Sequence, residues 1–309
     1  MPTVAKQTID SFYFDFLNPR AFDLLEADAK TRISFIQQDY WMDYDVAEEI
    51  LQDFQDLVDA PRVHRPPCRL LIGPTSNGKS ELLRQLAARN PFVEREDRQG
   101  VIAPVIYVQA PRRPDEMSFY SAILKSISAP FNPSDRIDRR IHQVLSLLDV
   151  VQCKVILIDE VHNILAGSTS QHRLFQQTLR SLTNESQTSL IYAGVKSAMN
   201  AVASDAQLAS RTTNRYLPRW VNDVRYQNLI GTLESNLPLK NYSGVYADSN
   251  MRSAIFHLSG GLFGLTKNAL MAAAIRAIKD GTERITIHTF KNLDITPEGQ
   301  RPEVPNGLD

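Results

Sequence analysis

Apolar and polar positions follow two rhythms along this chain. Nearly continuous runs of Val, Ile and Leu occur at Leu70–Ile72, at Val101–Gln109, within Lys154–Glu160 and at Thr188–Gly194. Runs of that length and composition read as strands buried on both faces. Between them apolar residues recur every three or four positions, which predicts amphipathic helices. One starts near Lys79 and runs to about Arg89, where Asn90-Pro91 stops it. Others span Asp115 to Ile127, 135–150 (Ile137, Ile141, Val144, Leu145 and Leu148 inward), 172–185 (Leu174, Phe175, Leu179 and Leu182 inward) and 196–210. Alternation of strand and helix across 70–215 implies an α/β fold, a mostly parallel sheet covered on both faces.

The flanks read differently. Residues 31–59 predict two helices, with Ile33, Ile36 and Tyr40, then Val46, Ile50, Phe54 and Leu57, at helical spacing. Residues 1–30 look irregular and carry an aromatic cluster, Phe12, Tyr13, Phe14 and Phe16, able to pack on the domain or on a neighbour. Residues 92–100 are charged and loop-like, and Leu217-Pro-Arg-Trp220 marks a break. Beyond it the strands stop. Helices at 222–235, 249–259 and 265–279, with a short element at 286–291, suggest a small helical lid. The expected organisation is therefore an N-terminal helical extension over 1–60, an α/β core over 61–220, a lid over 221–292 and a disordered tail over 293–309, where Pro297, Pro302 and Pro305 stand among polar residues.

Composition changes this picture little. At 309 residues and 43% hydrophobic, the chain can bury a sizeable core, and its net charge of −1 announces no global attraction to nucleic acid. Charge is uneven, however, with an acid-heavy stretch over 10–59 and basic stretches over 62–89 and 211–225. Cys68 and Cys153 each flank an apolar strand without metal-ligand spacing, and read as buried free thiols. No N-terminal leader pattern and no membrane-length apolar stretch occurs, so a soluble cytoplasmic protein is expected.

The chemistry lies at two strand ends. Gly73-Pro74-Thr75-Ser76-Asn77-Gly78-Lys79-Ser80 fits G-x-x-x-x-G-K-[ST], between a strand and a helix. Glycines let the backbone curl so that its N–H groups gather on a phosphate, and the helix start adds its positive end. Lys79 would reach the β- and γ-phosphates, Ser80 would ligate Mg²⁺, and Glu81 follows beside them. About 80 residues on, the apolar run Val155–Ile158 ends in Asp159-Glu160. Asp159 would hold the Mg²⁺ shell and Glu160 would polarise the attacking water. ATP and Mg²⁺ are thus the expected cofactors. His162 and Asn163, just past the carboxylates, read as a helix-start polar pair, although a metal or catalytic role is conceivable.

Phosphate loop, Asp-Glu strand, a further strand, an arginine after the next helix and a helical lid together resemble the AAA+ ATPases. Ile72–Ser80, Tyr107-Val-Gln-Ala-Pro111, Leu157–Gly167 and Leu217-Pro-Arg-Trp220 further resemble the TniB family, related to the TnsC regulators, over about residues 30–290. The resemblance implies an AAA+ P-loop NTPase with a parallel sheet core and a small C-terminal helical lid. It implies a slow, assembly-dependent ATPase that oligomerises, as a ring or helical filament, on double-stranded target DNA in the bacterial cytosol. There it would recruit or activate a DDE transposase, together with a TniQ-like targeting protein. An AAA+ loader or origin-binding ATPase would share every nucleotide motif, and a nucleotide-gated signalling scaffold would work without DNA.

Carried over residue by residue, Arg211 matches the arginine finger that one AAA+ subunit inserts into a neighbour's site, with Arg215 as a rival. For sensor 1 the strand at 190–194 lacks the usual polar end, leaving Thr188, Ser189 or Lys196. For sensor 2 the lid offers Lys267. Arg112 and Arg113, in the loop that faces the central channel of related assemblies, are the expected DNA phosphate contacts, with Lys125 and Arg136 behind them.

Overall fold

A computed structural model describes residue 13 and residues 15–96, 99–166, 168–291 and 293. The chain divides into two compact units, residues 43–218 and residues 1–42 with 219–309.

Two helices precede the larger unit, α1 (Pro19–Phe22) and α2 (Ala29–Ile36), and α3 (Asp45–Asp59) opens it. Then follow β1 (Cys68–Ile72), α4 (Lys79–Arg89), β2 (Val93–Glu94), β3 (Val101–Ile102), β4 (Val105–Gln109), α5 (Glu116–Ser126) and α6 (Ile137–Val150). The unit ends with β5 (Val155–Asp159), a 3-10 turn over Val161–Ala166, α7 (Thr169–Ser186), β6 (Ser189–Gly194), α8 (Ala198–Ala203), α9 (Ala206–Ala209) and β7 (Thr212–Tyr216). Five strands form one sheet in the order β4-β5-β6-β1-β7, every neighbouring pair parallel. The expected parallel α/β core is present. β5 and β6 are buried along their whole length, which explains their unbroken apolar runs.

Several expectations need correcting. The run 101–109 is two strands: Val101 and Ile102 pair antiparallel with Val93 and Glu94, inside the stretch read as loop. Pro104 has no N–H to give a ladder, and its carbonyl accepts from Lys154 and Val155. Strand β7 escaped notice because Thr-Thr-Asn-Arg-Tyr has no apolar pattern, as suits a sheet edge. The helix over 196–210 is broken at Ser204-Asp205, where Asp205 Oδ1 accepts from the Gln207 and Leu208 N–H groups and starts a new turn. Leu174 faces out, 54% exposed, while Phe175, Leu179 and Leu182 face the core. Cys68 and Cys153 are buried free thiols, as expected.

Residues 43–60 belong with the sheet rather than with the N-terminal extension. Ile50, Leu51 and Phe54 of α3 are buried, and Asp53 binds Arg69 of β1 and Arg215 of β7 through both its oxygens. Burial alone would push the Asp53 carboxyl up, but the two guanidinium groups more than offset it and hold it below its ordinary range.

The second unit joins α1 and α2 to α10 (Val224–Ser235), α11 (Ser249–Ser259), α12 (Phe263–Lys279) and α13 (Ile287–Lys291). Arg32 of α2, buried, grips both oxygens of Glu283 at 2.6 Å and donates to the Pro238 carbonyl. Tyr13 donates to the Leu239 carbonyl, and Phe16 stacks on Tyr246. Tyr13 and Phe16 therefore pack on the helical unit of their own chain. Phe12, Phe14 and the tail beyond Leu293 lie outside the described residues. Among the described residues, no helix is long and apolar enough to cross a membrane.

Candidate nucleotide site

The loop Gly73–Gly78 leaves the C-terminal end of β1 and delivers the chain into α4 at Lys79. Parallel sheets place their ligands at this edge. Ser76 and Gly78 have positive φ, 57° and 90°, the curl that turns successive N–H groups toward one point. Gly73 admits no side chain, since a Cβ there would lie 2.9 Å from the Leu217 carbonyl oxygen. Asn77 is buried and donates from Nδ2 to the carbonyls of Leu217 (2.9 Å) and Pro218 (2.8 Å). The loop is thus fastened to the exit of β7. Lys79 is also buried, and its Nζ donates to the Pro74 carbonyl at 2.8 Å. Thr75 and Ser76 are exposed at the loop tip, whereas Pro74, Gly78, Ser80 and Glu81 are half-buried.

Asp159 ends β5, one strand away from β1 across β6 and so about 10 Å along the same sheet edge. It is buried and fixed through both oxygens. Oδ2 accepts from the Tyr107 hydroxyl and Oδ1 from the Glu160 N–H, each at 2.8 Å. Glu160 has φ of 56°, a left-handed backbone that a non-glycine residue rarely adopts. Its Oε2 lies 3.1 Å from Nε2 of His162, whose Nδ1 is buried without a partner among the described residues. His162 is more than a helix-start residue: it holds the carboxylate next to Asp159. The alternating spacing Asp-Glu-x-His was the available signal.

Ammonium, hydroxyl and carboxylate groups thus meet a curled backbone at one edge of the sheet. Comparison with known protein families matches residues 32–222 to the family described as Bacterial TniB protein. The chain belongs to the TniB family. No curated protein matches it. Solved structures similar to this TniB-family chain include the Aeropyrum pernix ORC2 protein in its ADPNP-ADP complexes, at 13% identity and a TM-score of 0.61, covering 83% of this chain and 70% of that one. Cdc6p from Pyrobaculum aerophilum follows at 15% identity and 0.57, covering 82% and 67%. The Aeropyrum pernix ORC1 protein in complex with DNA gives 16% and 0.59, covering 84% and 67%. At such identities the likeness shows the fold, an AAA+ P-loop NTPase with a parallel sheet core and C-terminal helical elements.

Family and fold together make the TniB-family chain an ATP-binding and ATP-hydrolysing AAA+ enzyme, which implies ATP and Mg²⁺. The residues present fit both. Gly73 leaves no room for a Cβ, Gly78 has the left-handed φ that favours glycine, and the Ser80 hydroxyl and Asp159 carboxylate are hard oxygen donors. Mg²⁺ typically takes only one or two protein oxygens beside phosphate and water.

The remaining candidates of the TniB-family chain scatter. Arg211 follows α9 at the start of β7, where its carbonyl accepts from Cys68 N–H. A strand rises about 3.3 Å per residue, so Arg211, six residues back in register from Gly73, lies roughly 20 Å from its own phosphate loop, at the opposite edge of the sheet. Its guanidinium rests on Asn184 Oδ1 (2.9 Å) and the Gln207 carbonyl. Arg215 is committed to Asp53, at 2.7 and 2.9 Å. Of the sensor 1 alternatives, Thr188 and Ser189 are misplaced: Ser189 starts β6 and Thr188 precedes it, at the edge away from the phosphate loop, and Thr188 donates to the Cys153 carbonyl. Only exposed Lys196 lies past the correct end. Lys267 is buried in α12, its Nζ 4.9 Å from the Tyr40 ring centre and 3.9 Å from Asp39. Arg112 and Arg113 are exposed in the loop after β4, at the same edge as the phosphate loop. Lys125 does not join them. It sits in the last turn of α5, an 11-residue helix about 16 Å long, and Arg136 precedes α6 beyond it.

Proposed function

We propose that this TniB-family chain is an ATP-driven switch that assembles as a homo-oligomer on double-stranded DNA and is reset by hydrolysis. One observation carries the reading: Arg211 lies at the sheet edge opposite the phosphate loop, beyond the reach of its own site. In a head-to-tail assembly that arginine meets the next subunit's site, so hydrolysis waits on assembly. Within each site, Gly73–Ser80 would hold the phosphates, with Lys79 leaving the Pro74 carbonyl for them, and Ser80 and Asp159 would hold Mg²⁺, which would supply charge neutralisation at the phosphates. Glu160, released from His162, orients and deprotonates water.

Two narrower roles follow. Likeness to ORC and Cdc6p structures, one of them solved with DNA, favours a loader or origin-binding type of assembly. TniB membership supports recruitment of a DDE transposase, with a TniQ-like protein, to marked target DNA. Electron microscopy with a non-hydrolysable ATP analogue, with and without duplex DNA, tests the common reading. Rings or filaments only when both are present support it; equal assembly without DNA points to a signalling scaffold. ATP-dependent capture of a transposase by the DNA-bound form then separates the two narrower roles.

A further inference from the structure

Tyr107 lies among the buried Val105, Ile106 and Val108 of β4, yet its hydroxyl bonds to a charged group. In the β4–β5 register Tyr107 stands opposite Leu157 and Gln109 opposite Asp159, so Tyr107 reaches Asp159 along a diagonal that only a long side chain spans. Its Oη donates to Oδ2 at 2.8 Å, while the Glu160 N–H occupies Oδ1. A carboxylate turns easily about its terminal torsion, whose energy wells are broad. Bonds to both oxygens remove that freedom before any ion arrives. The guanidinium of Arg84, on the helix that leaves the phosphate loop, lies 5.9 Å from the ring centre and also interacts with the hydroxyl.

We propose that Tyr107 is a positioning residue for Mg²⁺, its hydroxyl fixing the rotation of the Asp159 carboxylate. This rests on the reading that Asp159 holds the Mg²⁺ shell. Outer-shell partners of metal ligands typically govern metal affinity by about 10–100-fold. Tyr107→Phe keeps the ring and the packing of β4 and deletes only the hydroxyl.

The test is binding of a fluorescent ATP analogue by the full chain, in excess EDTA and across a Mg²⁺ titration. Tyr107→Phe should leave affinity in EDTA within about twofold and raise the half-saturating Mg²⁺ concentration at least about tenfold. Asp159→Asn is the companion variant. If Asp159→Asn raises the Mg²⁺ requirement and Tyr107→Phe does not, Tyr107 has no positioning role. Equal weakening of binding with and without Mg²⁺ in Tyr107→Phe also overturns the proposal. An unchanged Mg²⁺ requirement in Asp159→Asn overturns the reading of Asp159 itself.

Discussion

Replacing Asn77 with alanine should unfasten the phosphate loop from the chain that leaves β7. Nδ2 makes two hydrogen bonds, a buried one to the Leu217 carbonyl and a part-buried one to the Pro218 carbonyl. Each neutral bond contributes about 1 kcal/mol net, and a buried carbonyl left without a donor costs about 1–3 kcal/mol. The loss should therefore be about 2–4 kcal/mol, which for a unit of this size lowers its melting temperature by roughly 5–15 °C. Asn77→Asp should be worse, because a carboxylate has no hydrogen to give and would face two carbonyl oxygens. Thermal denaturation of the three proteins without nucleotide, at pH 7.5, should give the order Asn, Ala, Asp. Equal melting of wild type and Asn77→Asp would refute the reasoning, since it would mean the amide donates to neither carbonyl.

Three further outcomes are expected. Asp53 has a depressed pKa in the folded chain, so its contribution is complete above its unfolded value, about 4, and is lost as pH falls through the lower folded value. Acid denaturation of Asp53→Asn should lack that part of the stability drop, and the variant should lose about 1–3 kcal/mol at neutral pH; a parallel pH profile for both proteins counts against the Arg69–Asp53–Arg215 bridge. Glu160→Gln and Arg211→Ala should each keep nucleotide binding and lose DNA-stimulated hydrolysis, and a 1:1 mixture should recover activity at about a quarter of its sites, where an intact Glu160 meets a neighbour's intact Arg211. No recovery in the mixture would place the arginine elsewhere. Arg112→Ala with Arg113→Ala should weaken ATP-dependent DNA binding and reduce the slope of log K against log salt by about two; unchanged binding removes these residues from the interface.

Legibility in the sequence followed burial. β1, β5 and β6 run through the sheet interior, so their apolar runs announce them, and the phosphate loop and Asp159-Glu160 follow from those strand ends. β7 is an edge strand with polar residues on both sides, and nothing in Thr212–Tyr216 distinguishes it from a loop. Proline at 104 and the Asp205 cap each split an element whose apolar rhythm continued across the break. Contacts far apart in sequence were invisible. Asp53 with Arg215 and Asn77 with Leu217 depend on topology, which no local pattern encodes. The Glu160–His162 pair spans only two residues, yet it requires the left-handed backbone at Glu160 that sequence gives no reason to expect. In the helical unit, the pairing of Arg32 with Glu283 likewise joins positions far apart in the sequence.

The central claim is that the phosphate loop controls assembly on DNA. Co-sedimentation with duplex DNA, for wild type and Lys79→Ala in the presence of ATP, tests it most directly. Wild type should sediment with DNA only when ATP is present, and Lys79→Ala should stay in the supernatant while remaining folded, with a single cooperative melting transition. Lys79→Ala sedimenting with DNA as fully as wild type would contradict it.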